Sequence, residues 1–281
     1  MPDNSENTQT GLQVATANEA DSQAMPERAG AIRAIIFDLG GTLIDWPDWD
    51  EDIERRWGLS YDHLIAYMNG RVWPEREAYI QAMRAAEKAH WQRVTEQHMS
   101  ETADMVLLDG FHRLTCTVNE RELLTALDGY ANAVIGWAII FPEIVGTLIE
   151  LRKRGYRLGL LSNTWWAASW HNADLAAHGL TSLLDVVMYT SELPYSKPHP
   201  YVFKEAARRL HMEPSACVMV GDRMADDVGG ALSVGMRGVW RYNEYPWPKP
   251  KEITPSAVIT TLTELLTHLE LWEEADSPAT R

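Results

Sequence analysis

Five chemically reactive side chains lie at or near the ends of short apolar segments in this sequence. They are Asp38, Ser162, Lys197, Asp222 and Asp227. Each alone is weak evidence, because a carboxylate before a turn often only caps a helix. Together they suit phosphate transfer: carboxylates hold Mg²⁺, a cation that prefers oxygen ligands, and a lysine offsets the charge of an anionic substrate. Asp38 would then attack phosphorus, while the Ser162 hydroxyl donates to a phosphoryl oxygen.

The turn after the first aspartate adds further groups to this predicted site. Thr42 and the backbone of Gly40 and Gly41 can orient the Asp38 carboxylate. We assign Gly41, together with Asn163 from the second segment, to substrate binding.

The elements that must position these side chains alternate between strand and helix. Apolar, β-branched runs predict strands at 31–37, 156–161, 185–189, 216–220, 238–242 and 257–259. Helical apolar spacing predicts helices at 143–154, 167–178, 200–210, 227–234 and 262–272. This alternation indicates an α/β fold with a doubly wound, Rossmann-like parallel sheet and right-handed crossovers. In such a sheet, ligands bind in the crevice at the carboxyl ends of the strands.

The composition along the chain predicts a core with an inserted helical domain. Residues 46–140 carry helical patterns, as in 78–94 and 120–133, and no convincing strand. The predicted parts are a disordered tail at 1–30, a core at 31–45 and 141–272, a helical insertion at 46–140, and a flexible C-terminus at 273–281. We interpret the proline-rich run 246–250 as a rigid surface connection.

Tryptophans follow the first two reactive segments directly: Trp46, Trp49, Trp165 and Trp166. These indoles can border the crevice, and we assign Trp46 and Trp165 to substrate binding. Packing between the core and the insertion is the alternative, and it is slightly favoured.

The charge and the cysteines limit the partners. A net charge of -15 without a basic patch disfavours nucleic acid and anionic membranes. No apolar run approaches the roughly 20 residues needed to span a bilayer, and the N-terminal residues lack the pattern of an export signal. The two cysteines show no pairing pattern, which suits a reducing compartment. We therefore predict a cytoplasmic protein that acts on a small molecule.

Four sequence motifs resemble the ordered motifs of the haloacid dehalogenase superfamily. They are Phe37-Asp-Leu-Gly-Gly-Thr-Leu43, Leu161-Ser-Asn163, Ser196-Lys-Pro198 and Val220-Gly-Asp-Arg-Met-Ala-Asp-Asp-Val-Gly-Gly-Ala231. The resemblance extends from about residue 31 to residue 271, and the insertion resembles the family's first-position cap. It implies a hydrolase, most simply a phosphatase for a small phosphomonoester that forms an aspartyl-phosphate on Asp38. It also implies Mg²⁺ held by Asp38, the Gly40 carbonyl, Asp222 and Asp227.

One position departs from the pattern of the family's phosphatases. They usually place a second aspartate two residues after the nucleophile, as general acid and then base, whereas this chain has Gly40. Glycine cannot transfer a proton, and general acid-base catalysis is worth about 10² to 10⁴-fold. The loss favours leaving groups that need little protonation, unless another group substitutes. Candidates for that substitution are Asp45, Asp48, His63, His90 and His98.

Three alternative functions remain open from the sequence. In carbon-halogen hydrolysis the halide leaves unprotonated, and relatives of this kind share Ser162-Asn163, but they work without metal and carry an aromatic residue at the position of Gly40. In phosphonate cleavage the relatives use a cap lysine, for which Lys88 is the candidate. In a phosphate-binding protein, Gly40 would have disabled turnover. Asp222 and Asp227 favour a cation, and hence the phosphatase.

Overall fold

The computed structural model describes residues 31–47 and 52–276. The predicted tail at 1–30, the last residues 277–281, and the candidates Asp48 and Trp49 lie outside the described residues.

Within the described residues, strands occur at all six predicted positions and at two further positions. In chain order they are β1 (Ala34–Phe37), β2 (Ile44–Asp45), β3 (Ile139–Ile140), β4 (Arg157–Ser162), β5 (Val186–Tyr189), β6 (Cys217–Gly221), β7 (Arg237–Arg241) and β8 (Ala257–Ile259). Six of them form one sheet in the order β5-β4-β1-β6-β7-β8, and every pairing in it is parallel. The predicted doubly wound fold is confirmed.

Helices cover both faces of this sheet. In chain order the α-helices are α1 (Ile53–Tyr67), α2 (Arg76–Gln97), α3 (Ala103–Arg113), α4 (Glu120–Val134), α5 (Ile144–Lys153), α6 (Ala168–Ala177), α7 (Pro200–Arg209), α8 (Gly230–Ser233) and α9 (Glu264–Ala275). Ile35 and Phe37 of β1 share an apolar cluster with α5, α6 and α9, whereas Ala34 and Ile36 share another with α7 and α8. Successive residues of a strand point to opposite faces. A strand buried on both faces therefore shows the continuous apolar run seen in the sequence.

Two elements differ from the sequence prediction. The helix predicted at 227–234 begins earlier, as a π-helical turn over Met224–Gly229 that continues into α8. In that turn the Asp227 carboxylate accepts the Arg223 N–H at 2.9 Å. The second difference is the antiparallel pair β2 and β3, which joins the two ends of the helical insertion. Each of these strands has only two residues, which is too short for a periodic pattern, so the sequence did not reveal the pair.

Helices α1 to α4, which we call the cap helices, lie between β2 and β3. Their own apolar cluster includes Trp57, Tyr79 and Phe111. At the start of α4 the Asn119 side chain accepts from Glu122 N, and the Glu122 side chain accepts from Asn119 N, which is a complete capping box. The role of these helices as a separate domain with boundaries near residues 46 and 140 stays a prediction.

No helix in the described part of the chain is long and apolar enough to cross a bilayer.

Candidate active site

Three neighbouring strands of the sheet deliver the predicted reactive groups to one edge. Asp38 follows β1, Ser162 ends β4, and Asp222 follows β6, while β1 lies between β4 and β6 in the sheet. Because the three strands are parallel, their carboxyl ends meet at this edge. All three side chains are buried.

Lys197 joins the acidic groups from the loop between β5 and α7. Its Nζ donates to Asp38 Oδ1 and to Asp227 Oδ1, both at 2.6 Å, and the side chain is fully buried. Burial alone would lower the pKa of Lys197, but the two carboxylates outweigh it and the pKa lies above the ordinary value. The ammonium is therefore permanently charged beside Asp38.

The three aspartates lie close together around this lysine. Asp38, Asp222 and Asp227 each offer an oxygen, and these oxygens lie within 4.8 Å of one another. Burial raises the pKa of Asp222 and of Asp227, and the negative charge of Asp38 raises both further. One ammonium against three carboxylates leaves an excess of buried negative charge that a cation would offset.

The Asp222 carboxylate fits a hard cation best. Its Oδ2 accepts from Asn243 Nδ2 at 2.9 Å and from Trp247 Nε1 at 3.0 Å. Its Oδ1 is buried and has no hydrogen-bond partner among residues 31–47 and 52–276. A bare oxygen in an all-oxygen donor set with excess negative charge suits Mg²⁺. Asp227 differs, because its two oxygens accept from Lys197 and from Arg223 N, so a cation would share them with these donors.

Asn163 holds the backbone of Lys197, a contact that the sequence did not predict. Its Oδ1 accepts from Lys197 N at 2.8 Å, and its Nδ2 donates to Lys197 O at 2.9 Å. Both the oxygen and the nitrogen of the amide thus hold the backbone of the lysine. The predicted contact of Asn163 with substrate stays a prediction.

Gly41, whose role in substrate binding stays a prediction, is constrained by the turn and by Asp222. Its N–H donates to Ile44 O at 2.8 Å, so that group is used within the turn. Its φ is +72°, and a Cβ on it would lie 2.5 Å from Asp222 Oδ2. Glycine is required here because both the backbone conformation and the nearby carboxylate exclude a side chain. Thr42, in the same turn, is fully buried, and its Oγ1 has no hydrogen-bond partner within the described ranges.

Trp46 covers the position where the second aspartate would stand. A Cβ on Gly40 would lie 2.8 Å from Trp46 Cζ3. The Trp46 ring meets the Trp166 ring edge to face, with centroids 5.5 Å apart, and lies 6.0 Å from the His171 ring. The glycine is therefore matched by an indole that fills the space beside the nucleophile, which the sequence did not show. The predicted contact of Gly40 O with metal stays a prediction.

Trp165 lies in the packing between the core and the cap helices. It is 1% exposed, and its ring stacks on Trp57 at 5.9 Å with an angle of 6° between the planes. Tyr130 lies 5.2 Å away on the same cluster. This enclosure favours the packing alternative, while the assignment of Trp165 to substrate binding stays a prediction.

Four of the five candidates for a replacement acid lie within the described residues, and each has contacts of its own. Asp45 accepts from the Tyr245 hydroxyl, and the His63 ring lies on Tyr67. His90 pairs with Glu101 at 2.8 Å, and burial lowers the pKa of this histidine. His98 Nδ1 lies 3.2 Å from Val94 O. Lys88, the candidate lysine for phosphonate cleavage, is exposed on α2.

Sequence reasoning missed the segment that follows β7. Asn243 and Trp247 both reach Asp222, and the Arg223 guanidinium lies 4.1 Å from the Trp247 ring centroid. The available signal was topological: β7 pairs with β6, so residues just after β7 lie at the same edge as Asp222.

Comparisons with known proteins agree with this geometry. The glyceraldehyde 3-phosphate phosphatase of Methanopyrus kandleri is 32% identical over 208 residues, covering 73% of this chain and 82% of that enzyme. The enzyme of the same name from Methanothermobacter thermautotrophicus is 35% identical over 133 residues, covering 46% of this chain and 58% of its own length. This chain therefore spans less than two thirds of that relative.

A solved structure and a family model extend the likeness. A 2-haloacid dehalogenase from Pseudomonas syringae pv. Tomato superposes with a TM-score of 0.59 at 26% identity, covering 86% of this chain and 99% of that one. The model of the haloacid dehalogenase-like hydrolases matches residues 32–235, which include Asp38, Ser162, Lys197, Asp222 and Asp227. With the four motifs at adjoining strand ends of a matching sheet, this chain belongs to the haloacid dehalogenase-like hydrolase family.

Proposed function

We propose that this hydrolase is a Mg²⁺-dependent phosphatase for a small phosphomonoester, with Asp38 as its nucleophile. The observation that carries the proposal is the buried set of Asp38, Asp222 and Asp227 around Lys197, in which Asp222 Oδ1 has no hydrogen-bond partner among the described residues. A dianionic phosphoryl group needs more positive charge than one ammonium supplies. Bound at these oxygens, Mg²⁺ would supply the remaining positive charge.

The residues of this chain would divide the reaction into two steps. An Asp38 oxygen forms a bond to phosphorus while the bond from phosphorus to the leaving oxygen breaks, which yields an acyl phosphate. Water then attacks phosphorus, releasing inorganic phosphate and restoring the Asp38 carboxylate. Lys197 Nζ, 2.6 Å from Asp38 Oδ1, stabilises the charge throughout. The Ser162 hydroxyl would donate to a phosphoryl oxygen.

The leaving group would depart with little help from a general acid. Gly40 carries no proton, and the Trp46 indole fills the adjoining space. We therefore expect faster release of aryl or acyl leaving groups, which are stable as anions, than of alkoxides. The relatives named for glyceraldehyde 3-phosphate support a small phosphorylated metabolite as the natural substrate. The acidic charge and the unpaired cysteines Cys116 and Cys217 support action in the cytoplasm.

One observation favours a second candidate, carbon-halogen hydrolysis. Family members of this kind are expected to carry an aromatic residue at the position of Gly40, and Trp46, six residues downstream, supplies an aromatic ring next to that position. The likeness to the Pseudomonas syringae dehalogenase agrees with it. In that reaction Asp38 would attack carbon, halide would leave with the bonding electrons, and water would hydrolyse the ester. The crowded carboxylates argue against it, since halide departure needs no cation.

The test is a two-substrate assay with and without chelator. We expect phosphate release from p-nitrophenyl phosphate and glyceraldehyde 3-phosphate in Mg²⁺, and loss of that release in EDTA. Asp38→Asn should be inactive, while Asp62→Asn, the same change at an exposed ion pair in the cap helices, should retain activity. Chloride release from 2-chloropropionate in EDTA, without phosphate release in Mg²⁺, would replace the phosphatase with the dehalogenase.

A further inference from the structure

We propose that Asn243 and Trp247 are positioning residues that orient Asp222 toward the cation of the site. The inference rests on the metal requirement of the proposed function and adds two residues outside the four sequence motifs. It follows from how the Asp222 carboxylate is held. Both side chains donate to one oxygen, Oδ2, at 2.9 and 3.0 Å, and the other oxygen faces no donor in the described parts of the chain.

The two oxygens of the Asp222 carboxylate have different surroundings. Asp222 is 4% exposed, so water cannot freely satisfy a rotated carboxylate. Rotation about its last bond away from this orientation would break two N–H···O contacts at once. Two donors on Oδ2 therefore hold Oδ1 in one direction. Partners that fix a ligand in this way tune metal affinity almost as strongly as the ligands themselves.

The donors are themselves held in place. Asn243 Oδ1 accepts from Tyr245 N at 3.1 Å, which sets the orientation of the amide and directs Nδ2 toward Asp222. Trp247 lies between Pro246 and Pro248, so the backbone on both sides of it is restricted. The Arg223 guanidinium lies over the Trp247 ring at 4.1 Å. This indole is 36% exposed, yet its N–H reaches a buried carboxylate.

The first turn of the core leaves room for this arrangement. A Cβ on Gly41 would lie 2.5 Å from Asp222 Oδ2 and 3.3 Å from Asn243 Nδ2. Because Gly41 has no side chain, the Asp222 carboxylate and the Asn243 amide can both lie next to it. Gly41 and Asn243 are 202 positions apart in the chain, yet both lie next to Asp222 Oδ2.

The experiment measures metal binding directly, without substrate. Purified full-length protein is titrated with Mn²⁺, free Mn²⁺ is followed by EPR, and Mg²⁺ is used as competitor. Trp247→Phe keeps the ring on Arg223 but removes the donor, and we expect about 10-fold weaker binding. The double variant Trp247→Phe with Asn243→Ser removes both donors, and we expect it to bind Mn²⁺ about 100-fold more weakly than the wild type.

Trp240→Phe is the matched control. The Trp240 indole also donates to Asp222, but to its backbone oxygen at 2.9 Å, so its loss should change metal affinity less than about 2-fold. Equal losses for Trp240→Phe and Trp247→Phe would overturn the proposal, because any damage near Asp222 would then weaken binding. Unchanged binding by Trp247→Phe would overturn it as well. If that variant does not fold, Asn243→Ser alone makes the same test.

The outcomes separate this inference from the function beneath it. If the wild-type protein binds neither Mn²⁺ nor Mg²⁺, the metal requirement of the proposed phosphatase fails, and the inference fails with it. If the wild type binds and the Trp247 and Asn243 variants bind as well, only the role of these two residues is lost.

Discussion

The two sides of Asp38 are built from opposite materials. On one side lie Lys197, Asp222 and Asp227. Lys197 Nζ donates to Asp38 and Asp227 at 2.6 Å, and oxygens of the three aspartates lie within 4.8 Å of one another. On the other, beside Gly40, lies an aromatic cluster, the rings of Trp46, Trp166, His171 and Tyr189, in edge-to-face and stacked contact. Ionisable groups surround Lys197, whereas aromatic rings fill the space beside Gly40.

This contrast indicates which half of the catalytic machinery the chain retains. With the proposed Mg²⁺ offsetting its carboxylates, the charged side would hold an anionic substrate and support attack by a carboxylate. The aromatic side contains two titratable rings. Burial lowers the pKa of His171 to about 3, so it is neutral at neutral pH. Burial also raises the pKa of Tyr189, whose hydroxyl donates to Asn172 Oδ1 at 3.0 Å. A neutral imidazole and a phenol with a raised pKa are poor general acids, so this side favours leaving groups that need little protonation. Variants of either side separate the two contributions.

The largest effect should follow removal of the Lys197 ammonium, which donates to both Asp38 and Asp227. Lys197→Met leaves Asp38 and Asp227 buried without their shared donor. We expect hydrolysis to fall by about 10³-fold and the free energy of unfolding to fall by about 3 kcal/mol. Steady-state kinetics and urea denaturation measure the two. Lys204→Met, the same change at an exposed position of α7, is the control. More than a tenth of the activity remaining in Lys197→Met would contradict the assignment.

The aromatic side can be converted to an acidic one. Gly40→Asp alone should give little gain, because its Cβ would lie 2.8 Å from the Trp46 ring. Gly40→Asp with Trp46→Ala removes that clash, and we expect release from alkyl phosphates to rise by about 10²-fold. The assay is phosphate release from glycerol 3-phosphate, with Trp46→Ala as the control. A full gain from Gly40→Asp alone would show that the indole does not occupy the position.

A smaller loss of activity is expected from changing Asn163, which only positions Lys197. Asn163→Ala removes both hydrogen bonds to the Lys197 backbone and leaves the ammonium intact. We expect kcat to fall by about 10-fold, with KM changed little, because the lysine is displaced rather than lost. Asn163→Asp keeps one acceptor for Lys197 N, and its kcat should lie between those of the wild type and Asn163→Ala. A rise in KM with kcat unchanged would restore the role in substrate binding.

The smallest effect concerns stability and the neutral histidine. Its folded pKa of about 3 lies below the unfolded value of 6.5, so the protein loses stability as pH falls from 6.5 toward 3. Between pH 7 and pH 5 the loss from this group is about 2 kcal/mol. His171→Gln can still reach Thr164 Oγ1 but does not titrate. Urea denaturation at both pH values should show a smaller pH dependence in the variant. Parallel curves would mean that His171 accepts a proton in the folded state.

Much of the fold was predictable from local pattern. Continuous apolar runs such as β1 are typical of strands covered on both faces, and the glycines that follow α5 and α6, Gly155 and Gly179, have positive φ where the helices were predicted to end. The pattern did not predict the π-turn before α8 or the short pair of β2 with β3. Both depend on contacts of one or two residues, which leave no period to detect.

The candidate site divides in the same way. The sequence by itself determined that Asp38, Ser162 and Asp222 would converge, because parallel strands bring their carboxyl ends to one edge whatever the loops between them do. Only the tertiary structure decided that Trp46 covers Gly40, that Asn163 holds Lys197, and that Trp247 reaches Asp222. These contacts depend on the path of each loop through space. A loop's path is set by the packing of distant segments, which no spacing along the chain encodes.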